Sequence, residues 1–135
     1  MTPTDNERLF AKFDPNPPAD AAAIRKVESD AALRLPEDYA QFLQQADGGE
    51  GFFGNAYVIL WRVGELAEMN NAYQVAEFAP GLFLFGSDGG GEAFGFDART
   101  EAKPIVSVPF VGMDLKLARP LGSNFRRFLE ERFKS

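Results

Sequence analysis

Polar and apolar positions alternate along this chain with two periods. Helical spacing dominates from Ala21 to Phe78 and again at the end, and strand-like runs dominate between. Asp20 is placed to N-cap a helix from Ala21 to about Leu33 that sets Ile24, Val27 and Ala31 on one face. Glu28 lies beside that stripe, where a structural role is expected. Pro36 suits a first helical position, and Tyr39, Phe42, Leu43 and Ala46 then recur at i, i+3, i+4 and i+7, an amphipathic helix stopped by Gly48-Gly49, one of them at C′. Glu50–Asn55 reads as a glycine-bounded loop and Tyr57–Trp61 as a strand. Val63, Leu66, Met69 and Tyr73 predict a helix from about Gly64 into the Val75–Phe78 region, closed by Pro80-Gly81.

The most ordered pattern is LFLFGSDGGGEAFGFD, Leu82 to Asp97. An apolar run, a turn rich in glycine and a second run of period two predict a β-hairpin, apolar enough to lie in the middle of a sheet. Ala93 and Gly95 leave one face small enough for a helix to approach, while Phe94 and Phe96 fill the other. Ile105–Phe110 predicts a further strand, with Pro109 at an edge or a strand end. After a loop around Gly112–Leu121, Ser123 is the expected N-cap of a last helix with Phe125, Phe128, Leu129 and Phe133 inward. At the N-terminus, Thr4-x-x-Glu7 fits a capping box opening a short helix that ends near Phe13, before the proline-rich Asp14–Pro18. The order of elements predicts an α+β single domain, a twisted, mainly antiparallel sheet flanked by helices.

At 135 residues, with 45% hydrophobic residues and 14 Phe, the chain suffices for one domain with a real core. No apolar run approaches the roughly 18 residues of a membrane span. The N-terminus shows no secretory pattern, so a cytoplasmic location is the expectation. Cys and His are absent, which removes disulfides, Cys/His zinc sites, thiol nucleophiles and imidazole-based triads. The formal charge of −6 argues against direct binding of nucleic acid. That charge is uneven: residues 1–101 carry 17 acidic and 7 basic side chains, net −10, and residues 102–135 carry 3 and 7, net +4.

Three kinds of chemistry find candidate residues in this pattern. Gly86–Gly91 lacks the Lys-Ser/Thr of a phosphate loop, is followed by Glu92, and leads into a strand, so it reads as a turn. Asp88, Glu92 and Asp97 are hard donors for calcium or magnesium but lack an EF-hand spacing. Asp47, Glu50, Asp88 and Glu92 would make a paired-carboxylate site only if the two glycine-rich loops share one end of the sheet. No catalytic, cofactor or metal residue is therefore assigned. Trp61 reads as core. Phe52-Phe53 reads as one ring inward and one left for a partner, and an exposed Tyr57 or Phe on an edge strand would support dimerisation.

The ordered landmarks Ile24-x-x-x-Glu28, Leu35-Pro36-x-Asp38-Tyr39-x-x-Phe42-Leu43, Gly48-Gly49, Leu60-Trp61, Glu65-Leu66, Asn70-x-x-Tyr73, Phe85–Asp97 and Phe125-x-x-Phe128-Leu129 resemble the SUKH superfamily, in its branch related to fungal cell-wall-synthesis regulators. The resemblance spans about residues 20–133, which sets residues 1–19 apart as an N-terminal arm and 20–135 as the SUKH-like domain. It implies function by binding. Bacterial members are associated with immunity to polymorphic or contact-dependent toxins, often nucleases, and the family brings no catalytic motif. The resemblance thus implies a non-enzymatic immunity protein whose partner is a cognate toxin domain. A regulatory or scaffolding module with another protein partner is the alternative. Candidate contact residues are Asp47, Glu50, Phe52, Phe53, Asp88 and Glu92.

Overall fold

In the computed structural model, which describes residues 5–134, seven strands pair with their chain neighbours in the order β1 to β7, antiparallel throughout. They are β1 (Lys12–Pro15), β2 (Gly49–Phe53), β3 (Ala56–Leu60), β4 (Leu82–Ser87), β5 (Glu92–Asp97), β6 (Ile105–Pro109) and β7 (Arg119–Gly122). Six α-helices are described: α1 (Asp5–Leu9), α2 (Ala21–Ala31), α3 (Glu37–Gln45), α4 (Leu66–Ala72), α5 (Val75–Phe78) and α6 (Phe125–Lys134). The α+β architecture expected from the periodicities is the one found. No helix among the described residues is long and apolar enough to cross a membrane.

The hairpin β4–β5 occupies the middle of the sheet, and its residues from Leu82 to Ser87 and from Ala93 to Asp97 are all buried. One face of the sheet holds the aromatic core. There Tyr39 of α3 meets Phe85, Phe96 and Phe125 at 5.0–5.5 Å between ring centroids, and Phe128 of α6 meets Phe85 and Phe94. A second cluster of Phe10, Phe13, Phe42 and Phe53 joins it through Phe42 and Phe125 at 5.1 Å. Helix α6 lies across this face from β7 to β2. Its Phe128 backbone passes over Gly122, and its Phe133 carbonyl fills the space where Gly54, at φ +62°, would carry a side chain.

Polar side chains tie the elements where the ladder stops. Glu28 accepts from the Leu35 N–H at 2.8 Å, the structural role expected of it. Asp38 accepts from the Arg126 N–H at 3.1 Å, joining α3 to the first turn of α6. Strand β4 pairs with β3 at Gly86 and Ser87, the Trp61 N–H donates to the Phe85 carbonyl at 3.0 Å, and Leu84 is served by Asn70 of α4. Its amide accepts from the Leu84 N–H at 2.8 Å and donates to the Leu84 carbonyl at 2.9 Å, imitating a neighbouring strand. At the far end of the hairpin Arg99 grips Asp97 through two nitrogens, at 2.8 and 2.9 Å. The guanidinium, first through these hydrogen bonds, holds the Asp97 carboxyl below its ordinary range.

Several sequence expectations are corrected. Glu50–Phe53 belongs to a strand: Gly49 and Gly51 adopt φ +141° and +156°, values open to glycine, and let the β1 backbone close on them. Neither Gly48 nor Gly49 is a helix C′ residue, since α3 ends on an extended Ala46. The first helix stops at Leu9 and β1 follows; Thr4 lies outside the described residues. The single helix expected from Gly64 to Phe78 is a 3-10 turn (Val63–Glu65) followed by α4 and α5, broken where Gln74 takes φ +54°. The loop before α6 contains a 3-10 turn (Leu115–Leu117) and β7, and Asn124, not Ser123, caps α6 by accepting from the Arg127 N–H at 2.8 Å. The space above Gly95 is filled by the Leu84 side chain of the paired strand rather than by a helix.

Candidate interaction face

Side chains alternate across a strand, so the register assigns each residue to a face. Gly51, Phe53 and Val58 lie on the aromatic-core side, and Lys12, Asp14, Glu50, Phe52, Tyr57 and Ile59 lie on the other. That other side of β1–β3 is largely uncovered among the described residues, with the turn after β4 reaching it where a Cβ on Gly89 would stand 3.2 Å from Tyr57 and 3.6 Å from Ile59. Lys12, Asp14, Glu50 and Phe52 are exposed and Tyr57 and Ile59 are half-buried. Phe52 keeps 46% of its surface in solvent and packs edge-to-face on Tyr57 at 5.0 Å between centroids. The Tyr57 hydroxyl donates to Glu50. That hydrogen bond, then partial burial and the charges of Glu50 and Asp14, push the Tyr57 phenol above its ordinary value.

The sequence candidates separate on this geometry. Glu50 and Phe52 stand together on the open face. Phe53, 0% exposed and packed on Phe10 and Phe13, belongs to the core and is removed from any contact surface. Asp47 accepts from the Val63 N–H at 2.7 Å and starts the 3-10 turn after β3. Asp88 folds back on its own turn, accepting from the Gly90 N–H at 2.7 Å and the Glu92 N–H at 3.2 Å. Glu92, by alternation with Phe94 and Phe96, is on the α6 side of the sheet, paired with Arg119 at 3.2 Å. Asp47, Asp88 and Glu92 are thus each held by partners of their own, while the turn that carries Asp88 lies beside Tyr57 and Ile59.

Asp88, Glu92 and Asp97 are not brought together as a set of three. Asp97 is at the opposite end of β5 from Glu92 and is held by Arg99. Among the described residues no three carboxylates are grouped so as to hold an ion. Trp61 is buried, as its place at the end of an apolar strand implied, and stacks on Tyr73 at 6.4 Å. Tyr57 is on the third strand, so it marks no sheet edge; the edges are β1 and β7.

Sequence reasoning missed Asp14 and Ile59 as members of a shared surface, and offered Tyr57 only for an edge strand. The signal is the alternation Glu50-x-Phe52 against Tyr57-x-Ile59, hidden because Glu50–Asn55 reads as a glycine-bounded loop. Asp14 carried no signal, since a four-residue strand next to prolines shows no period.

With fold and face in view, comparison with known proteins finds one family. A model of the SMI1 / KNR4 family (SUKH-1) matches residues 18–131, well over half of the chain. No curated protein matches it.

Proposed function

The chain belongs to the SMI1 / KNR4 family (SUKH-1), and on that footing we propose that it is an immunity protein, which binds a cognate bacterial toxin domain and neutralises it by occlusion. The observation that carries the reading is the open face of β1–β3. An aromatic ring left 46% exposed on a regular strand, braced by a second ring, is the kind of anchor that protein interfaces use. Glu50 beside it supplies a charge that orients a partner. Binding and steric cover suffice for this function, and it asks no chemistry of the chain.

Co-expression with the product of the adjacent reading frame tests the reading. Rescue of growth from that product, together with a co-purifying complex, is the expected result. In that complex Phe52→Ala should weaken binding by about tenfold or more while the circular dichroism of the free protein stays unchanged. A stable complex with a harmless partner would point instead to a regulatory or scaffolding module. No complex and no rescue would sink the proposal.

A further inference from the structure

The register of β1 and β2 sets Asp14 directly opposite Glu50 on the open face. Like charges at that position in an antiparallel pair destabilise the ladder. Among the described residues neither carboxylate has a cation within 4.0 Å. The nearby Arg62 guanidinium reaches Asn16 instead, at 3.5 Å. Glu65, the third acid at this place, is engaged by the Arg62 N–H at 3.1 Å. Together with Ile59 and Trp61 these residues line a cavity of about 330 Å³ beside β2 and β3. Tyr57 holds the Glu50 carboxylate from one side, and the Phe52 ring continues the apolar surface.

We infer that this cavity receives an arginine or lysine side chain of the protein partner, presented next to an apolar or aromatic residue. The inference rests on the binding reading above and specifies its surface. Asp14 and Glu50 share the incoming charge, which relieves their mutual repulsion, and the neighbouring partner residue lies on Phe52 and Tyr57. A neutral or acidic segment would leave the repulsion in place, so the cross-strand pair selects by charge.

Two capped dipeptides, acetyl-Phe-Arg-amide and acetyl-Phe-Glu-amide, test this on the purified full chain by amide chemical-shift titration. The arginine peptide should shift the amides of Asp14, Glu50, Phe52 and Tyr57, and the glutamate peptide should not. The double variant Asp14→Asn, Glu50→Gln is isosteric at exposed positions and should bind the arginine peptide roughly fivefold more weakly, with its own spectrum otherwise retained. Equal response to both peptides, or an unchanged response in the double variant, would overturn the inference. So would shifts of these amides on dilution alone, which would mean a second copy of the chain, or stronger shifts with calcium chloride, which would mean a metal ion. A failed titration beside successful growth rescue removes this surface and leaves the immunity reading. A positive titration without rescue does the reverse.

Discussion

At the scale of single residues, Tyr39 shows what burial does to a polar atom. The ring is 1% exposed among three phenylalanines, and its hydroxyl has no hydrogen-bond partner among the described residues. Burial first, and the charge of Asp47 second, push its phenol well above the ordinary 10.0. The folded chain therefore keeps this proton at pH values where the unfolded chain has released it. Where the native state binds more protons, stability falls as pH rises. Urea unfolding should thus show an added loss above about pH 10, approaching 1.4 kcal/mol per pH unit for one proton. Tyr39→Phe should reduce that slope, leaving the share that Tyr57 contributes, and be neutral or stabilising by about 1 kcal/mol near pH 7. An unchanged slope in the variant would refute the assignment. Helical spacing alone placed Tyr39 inward. Its isolated hydroxyl was not legible, because it depends on rings that β4, β5 and α6 bring from elsewhere in the chain.

At the scale of elements, the glycines of the central turn are not equivalent. A Cβ on Gly86 would run into the Ile59 carbonyl oxygen where β4 crosses to β3, whereas one on Gly91 would meet nothing within 4 Å. Gly86→Ala should cost at least ~2 kcal/mol through backbone displacement, and Gly91→Ala should stay within about 0.5 kcal/mol. Thermal unfolding of the two variants separates them. The hairpin itself, α2, α3 and α6 were legible because each repeats one period for long enough. Strand β2 was not, because glycines that usually signal a loop here permit close approach of β1. The break between α4 and α5 was not either: Gln74 carries a positive φ without the glycine or proline that announces one.

At the scale of the whole molecule, charge divides between the α6 side of the sheet and the exposed face of β1–β3. The excess of basic residues after residue 101 includes β7 and α6, with Arg119, Arg126, Arg127, Arg132 and Lys134, on the side that α6 covers. The open face of β1–β3 instead presents Asp14 and Glu50. The net charge was readable from composition, but this division required the register. The fold was legible at the level of class and the face only in Glu50 and Phe52, since a surface shared by three strands exists only once they pair.

Helix α6 also has a consequence for the order in which the molecule assembles. Every strand pair in the sheet joins consecutive strands; the β2–β3 and β4–β5 hairpins close through tight turns that cost little entropy, whereas β1–β2 and β3–β4 close over inserted helices. The aromatic layer, by contrast, is sealed by a helix that follows all seven strands and reaches back to β2. Its docking is then expected after the main folding barrier. Phe128→Ala, at a position 0% exposed, should cost about 3–5 kcal/mol. In a chevron plot that loss should fall mostly on the unfolding arm, leaving the folding rate nearly unchanged. A loss carried mainly by slower folding would mean that the helix joins the nucleus. On the expected order, the lifetime of the folded protein is set by how long its last helix stays seated.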